Sequence, residues 1–390
     1  MQDEPLPGQG EAEEAMGLLL QRVDKTLQEV GERFPLYAEK AQDGGVRWVT
    51  TQDGNWCAGY WIGLLWLASR HAEDEAGRQR FAGAARLLLP AMLGQATDHL
   101  FAGLNHYYSG FLGFDVTGDT RLRDIGLRGA DAMAALYNPT ARQIPIGTYV
   151  TAPGHATRTS RTPVDRSNFA AVDALHTSMP VLLRAYRETG DERYRDVAVA
   201  HARRHMEWHM RADGSTIQMT VFDPSTGAPR ERFSTLAASD SGCWSRGLAW
   251  HIAGLAHLCE TDEAANFLPF LQRSADYYRR RCADDSIPKW DMELDDPAAK
   301  RDASAAAIVA NGLLRASRHG SLPPDLGRLG AQVLTALLRT CQVKDRQAPD
   351  AGAIVHGCYR HPREIAVDNE LIWSDFYVAS ALDAVLSPRP

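Results

Sequence analysis

Long apolar stretches alternate with amphipathic ones along this chain. Residues 58–69 read AGYWIGLLWLAS, too apolar for a helix with a solvated face and long enough for a buried one. Residues 98–115, 172–189, 244–259 and 303–317 have the same character, with small residues spaced among aromatics and leucines. Between them lie more polar helices, such as residues 193–210, whose Arg, His and Glu faces are expected to look outward. Strand-like alternation is confined to residues 215–222 and, as a loop or hairpin, residues 147–151.

The pattern also repeats. A Thr-Gly-Asp turn at Thr117 returns at Thr189, 72 residues later, and a weaker copy beginning at Glu260 follows after about another 72. Each copy ends an apolar helix and opens an amphipathic one, with Thr or Asp placed to cap the new N-terminus. Helical hairpins laid side by side are the reading, and the absence of capping repeats favours a closed ring over a solenoid. The sequence therefore predicts an all-α (α/α) barrel in one domain over residues 1–390. Helices carrying Trp61, Asp98, Asp173, Trp250 and Ser304 should form its interior, and long loops at one end its cleft. Residues 1–15 read as a flexible extension, and residues 151–167, rich in Thr, Arg, Gly and Pro, as a mobile lid.

Composition narrows the classes. At 390 residues, 44% hydrophobic and 23% charged, the chain is globular rather than disordered. No apolar run reaches the ~18–20 residues that span a bilayer, so no membrane is expected. The acidic, proline-broken start does not read as a signal peptide, which makes a cytoplasmic address the expectation. A net charge of −7 without a basic stripe argues against nucleic acid. Six scattered cysteines contain no C-x-x-C pair and read as buried or free thiols. No phosphate loop, G-x-S-x-G elbow or H-E-x-x-H is present, and neither a cofactor nor a metal is called for.

Particular motifs then become informative. Asn55-Trp-Cys-Ala-Gly-Tyr-Trp-Ile-Gly-Leu-Leu-Trp-Leu resembles the W-x-x-G-[FY]-W-x-G-x-L-W-L segment of the unsaturated glucuronyl hydrolases, family 88 of the glycoside hydrolases. Ser239-Asp-Ser-Gly-Cys-Trp-Ser-Arg-Gly-Leu-Ala-Trp resembles that family's D-x-x-x-W-x-R-G-Q-A-W segment. Lys289-Trp-Asp, Lys300-Arg-Asp-Ala-Ser-Ala-Ala-Ala-Ile, Phe222-Asp-Pro and Ile372-Trp-Ser-Asp-Phe-Tyr follow in the family's order, from about residue 45 to 380. The resemblance implies six hairpins, an (α/α)6 barrel. It also implies a small-molecule saccharide or glycoside substrate whose terminal uronic acid carries a C4=C5 enol ether. In that chemistry a carboxyl protonates C4, water adds at C5, and the opened sugar expels its neighbour.

Residue by residue, Ala171-Val-Asp-Ala-Leu matches the family's I-I-D-x-L and gives Asp173 the catalytic carboxyl. Asp173 also interrupts an apolar helix, where burial should raise its pKa. Arg246 and Trp250 match positions that hold the substrate, and Trp56 and Tyr60 match aromatics lining the sugar subsite; ordinary barrel core is the competing reading for the aromatics. The family's second aspartate is missing. An ungapped alignment puts Phe101 there, and a shifted one puts Tyr108 there. A glutamine becomes Leu248, another polar position Leu236, and a histidine Gln218. A less polar substrate is expected. His176, three residues after Asp173, is a candidate acid/base partner or a satisfied core histidine. Asp240 is a candidate to orient Arg246, and His106, Tyr107 and Tyr108 are candidates to line the cleft. His205 and His209 have the spacing of a metal pair, but with no third ligand nearby they read as a solvated face. Besides uronyl hydrolase chemistry, the residues leave open a lyase, dehydratase or cyclase acting through Asp173, and a non-catalytic sugar-binding protein.

Overall fold

A computed structural model of the chain describes residues 8–42, 44–149, 164–345 and 347–387. Helix α1 (Gln9–Val30) leads into the hairpin β1 (Phe34–Lys40) and β2 (Val46–Thr51), then α2 (Ala58–His71) and α3 (Glu75–Leu93). Next comes one continuous rod: α4 (Phe101–His106), a π turn (Tyr107–Phe111) and α5 (Leu112–Thr117). After α6 (Thr120–Leu136), β3 (Gly147–Tyr149) pairs with β4 (Val164–Arg166), and β5 (Phe169–Ala171) opens the way to α7 (Ala174–Thr189) and α8 (Glu192–His209). Strands β6 (Met219–Phe222) and β7 (Pro229–Phe233) join β5 in an antiparallel sheet. Helices α9 (Ser245–Leu258), α10 (Ala264–Arg281), α11 (Ala303–Arg318), α12 (Pro324–Thr340) and α13 (Ile372–Leu386) complete the chain.

The apolar helices close into an inner ring in the order α2, the α4–α5 rod, α7, α9, α11, α13 and back to α2. Their amphipathic partners pack outside: α3 on α2, α6 on the rod, α8 on α7, α10 on α9, α12 on α11 and α1 on α13. This is the (α/α)6 barrel. The helices expected at residues 58–69, 172–189, 244–259 and 303–317 become α2, α7, α9 and α11, all lined with buried side chains.

The repeated turn works as its sequence suggests. Thr117 and Thr189 each return a hydroxyl to the carbonyl four residues earlier (2.7 Å in both), and Gly118 and Gly190 take left-handed φ of 71° and 72°. Asp119 and Asp191 then accept the N–H of Arg121 (3.1 Å) and Arg193 (3.0 Å), capping α6 and α8. Glycine is required where the rod meets α7, because a Cβ on Gly103 would collide with the Thr177 carbonyl oxygen.

Three expectations change. The flexible extension expected over residues 1–15 does not hold from Gln9 onward, where α1 begins and buries Ala12, Ala15, Met16 and Leu19 at helical spacing. Asp98 is not inside the barrel. It is an exposed bend whose carbonyl accepts Thr148 N–H (2.9 Å), while Leu100 N–H reaches Ile146 (3.0 Å), so the helix starts only at Phe101. The lid expected at residues 151–167 lies mostly outside the described residues, with β4 at its end. Among the described residues, no helix is long and apolar enough to cross a membrane.

Candidate active site

Four inner helices begin at one end of the barrel, and their starts build a cleft. The turn before α2 gives Trp56 and its first turn Tyr60, α4 gives Phe101 and Leu104, the N-cap and first turn of α7 give Asp173 and Thr177, and α9 with its N-cap gives Trp244, Arg246 and Trp250. Loop residues Leu236, Tyr359 and Arg360 close the remaining sides. Helix N-termini pointing at one space favour an anionic occupant.

Asp173 is the one carboxyl among the described residues lining this cleft. It does not interrupt α7, as its apolar surroundings suggest, but stands at its N-cap, with no side-chain capping bond. The sheet sets this position: Val172 N–H bonds Gln218 O (2.8 Å), and the chain turns into the helix one residue later. Half-buried among aromatic rings, the carboxyl is pushed up to about 6 by desolvation; its own backbone N–H, Arg246 and Arg360 pull the other way. A carboxyl of that strength holds a transferable proton near neutrality.

Phe101 lines the cleft, with its ring 5.7 Å from that of Trp56, whereas Tyr108 does not line it. Of the two alignments, the ungapped one thus places a cleft-lining residue, Phe101, at the position of the second aspartate. Tyr108 turns into the barrel centre, where its hydroxyl meets His176 Nε2 (3.2 Å) and Tyr377 Oη (3.1 Å); Tyr377 also bonds His176 (2.9 Å). His176 stacks on Trp250 (5.2 Å, 19°), and burial lowers its pKa to about 3, so it supports the cleft wall as a neutral ring and is no acid/base partner of Asp173. His106 bonds Ala102 O (2.8 Å) and packs against Gly129 of α6, and neither it nor Tyr107 lines the cleft.

Arg246 lines the cleft but is only 2% exposed, and its terminal nitrogens are spent on the protein. Nη1 donates to Asp302 Oδ2 (2.8 Å) and Cys358 O (2.6 Å), and Nη2 to Tyr359 O (2.6 Å). Its acidic partner is Asp302, not Asp240, which is exposed. The other motif aspartates likewise fasten loops: Asp291 accepts Ala238 N–H (2.7 Å), and Asp375 accepts Ala353 and Ile354 N–H (2.9 Å each). Gln218 accepts Thr235 N–H (2.7 Å) and Leu236 N–H (3.1 Å), which presents Leu236 to the cleft.

Sequence reasoning missed Arg360. No local pattern separates it from a surface arginine, and only its fastened neighbours bring it to the cleft. The outward face expected for residues 193–210 is also wrong for its histidines. His201, His205 and His209 are fully buried, and His205 stacks on His251 of α9 (5.4 Å, 22°). Among the described residues, no group of three or more His, Cys, Asp or Glu has the geometry to hold a metal ion.

The family model described as Glycosyl Hydrolase Family 88 matches residues 164–384. An unsaturated glucuronyl hydrolase of Bacillus sp. (strain GL1) is 30% identical over 381 residues, covering 95% of each chain. The chain belongs to glycosyl hydrolase family 88. An unsaturated chondroitin disaccharide hydrolase of Streptococcus pneumoniae (strain ATCC BAA-255 / R6) is 25% identical, covering 84% of this chain and 81% of that protein. The crystal structure of the unsaturated glucuronyl hydrolase from Bacillus sp. GL1 matches with a TM-score of 0.81 at 27% identity over 96% of both chains. That from Streptococcus agalactiae matches the fold with a TM-score of 0.83 at 24% identity, over 98% of this chain and 94% of that one. The family 88 member described here is thus an enzyme of the hydrolase class, and its barrel is that of the family.

Proposed function

We propose that this enzyme hydrates the C4=C5 enol ether of an unsaturated uronic acid linked to an uncharged, weakly polar neighbour. The observation that carries the reading is the carboxyl of Asp173, the one carboxyl lining the cleft among the described residues, shifted to about 6 between walls of Trp56, Phe101, Trp244 and Trp250. Membership of a family whose relatives are described as unsaturated glucuronyl and chondroitin disaccharide hydrolases supports it.

One group can serve both halves of the reaction. Protonated Asp173 gives its proton to C4; the π pair forms the C4–H bond, and positive charge develops at C5 and the ring oxygen. Water adds at C5 and returns its proton to the Asp173 carboxylate. The hemiketal opens and the neighbouring alcohol leaves from C1. No nucleophile on the protein is needed, unlike the paired carboxylates of retaining glycosidases. Phe101, Leu104 and Leu236 remove polar contacts from the wall, which supports an unsulfated leaving group.

The test is to incubate the enzyme with unsaturated uronyl disaccharides, sulfated and unsulfated, and follow absorbance of the conjugated double bond. Loss of absorbance with release of the neighbouring sugar is expected, faster on the unsulfated substrate. Absorbance that stays constant on every substrate, or that rises on saturated glycosides, contradicts hydration.

A further inference from the structure

Two arginines reach the cleft, and the structure uses them differently. Around residue 358 the chain is fastened from three sides. Asp302 Oδ1 accepts Cys358 N–H (3.3 Å), Arg246 donates to the carbonyls of Cys358 and Tyr359 (2.6 Å each), and Trp56 Nε1 donates to the Tyr359 hydroxyl (3.0 Å). The next residue, Arg360, is locked by backbone bonds in both directions with Ile365 (3.0 and 3.2 Å). These bonds set where the Arg360 side chain enters the cleft wall. Its Nε is buried without a hydrogen-bond partner, its guanidinium lies over the Tyr359 ring (5.9 Å), and the residue lines the cleft. A buried donor left unpaired is costly, and a ligand acceptor relieves that cost. Asp173 shares the cleft and feels the Arg360 charge, but the two form no salt bridge.

We propose that Arg360 is the carboxylate receptor of the cleft, taking the C5 carboxylate of the unsaturated uronic acid, while Arg246 positions the segment that presents it. The inference rests on the hydrolase reading above and adds which cation selects the substrate. A guanidinium suits a carboxylate because its planar fork can donate two parallel hydrogen bonds. Holding the carboxylate at Arg360 places the adjacent C4=C5 bond in the space shared with Asp173.

The experiment compares two 4-nitrophenyl glycosides, the 4,5-unsaturated uronide and its counterpart with the carboxylate reduced to CH2OH, each read by nitrophenol release. Arg360→Gln should raise KM for the uronide roughly 10–100-fold, the range of a charged hydrogen-bonded contact. It should change KM for the neutral glycoside far less, because that substrate offers the guanidinium no carboxylate. Arg360→Lys should recover part of the loss, and Tm should change little, because the side-chain contact of Arg360 among the described residues is a cation–π approach to the Tyr359 ring (5.9 Å) rather than an ion pair. Removing this charge should also shift the alkaline limb of the pH–rate profile upward, because Arg360 favours the Asp173 carboxylate. An active wild type whose Arg360→Gln variant keeps its KM on the uronide, or loses both glycosides equally, overturns the assignment alone. A wild type inert on both overturns the hydrolase reading and the assignment with it.

Discussion

Asp173 sits among aromatic walls with its carboxyl pushed up to about 6, and that shift acts on stability as well as on chemistry. The unfolded chain ionises this group near about 3.9, so the native state holds its proton longer. Stability is therefore undiminished below about 4, falls as pH rises through that window, and carries the full penalty above about 6. Two units correspond to at most about 3 kcal/mol. Asp173→Asn should thus raise Tm at pH 7–8 and leave it unchanged near pH 4, measured by thermal melts across that range; a lower Tm at neutral pH would mark the carboxylate as a structural partner. Asp173 was legible from its motif and its apolar neighbours. Arg360 was not, because the segment that brings it to the cleft is fastened by Arg246, 112 residues away from Cys358. Arg246 itself was legible as important, but its role was not: the motif marks the position, and only packing reveals that its donors turn inward.

Among the elements, the loop before α13 and the first turn of α11 depend on one buried ion pair. Arg246 and Asp302 are 2% and 0% exposed, and Asp302 also accepts Ser304 N–H (3.1 Å) at the N-cap of α11. Removing one partner of a buried pair typically costs about 3–5 kcal/mol, since the other charge is left uncompensated. Asp302→Ala should lower stability by about that amount in denaturant melts and loosen residues 358–360; a loss below about 1 kcal/mol, the value of an exposed pair, would contradict it. The α8–α9 interface carries a second titration. Burial lowers His201 and His251 to about 3 and His209 to about 4, and lowers His205 as well. The unfolded chain takes up these protons near about 6.5, so stability is full above that pH and declines as pH falls toward 4. His205→Phe keeps a ring in the stack and should flatten the acid side of the Tm–pH curve; an unchanged slope would contradict the cluster's part in it. Periodicity located α8 correctly, but counting histidine as polar sent its inner face outward. Neutral imidazoles that stack on one another pack as core.

For the whole molecule, the alternation of apolar and amphipathic helices and the 72-residue return of Thr-Gly-Asp were enough to predict a ring of hairpins. Closure belongs to that prediction and is made by α13 packing on α2, though these patterns could not name the two helices that meet. Nor could they place the cleft at the N-terminal ends of the inner helices. That placement gives a protein with net charge −7 a cleft where helix dipoles and the Arg360 guanidinium favour negative charge. Proton delivery by Asp173, whose carboxyl lies in an aromatic cleft, is central to the proposed reaction. The most direct test is the rate of double-bond loss from an unsaturated uronide for wild type and Asp173→Asn at one pH near 6, with Tm recorded for both. The account predicts a slowing of roughly 10²–10⁴-fold or more, the worth of general acid–base catalysis, in a variant at least as stable as wild type. A variant that stays fully active and is only less stable would contradict it.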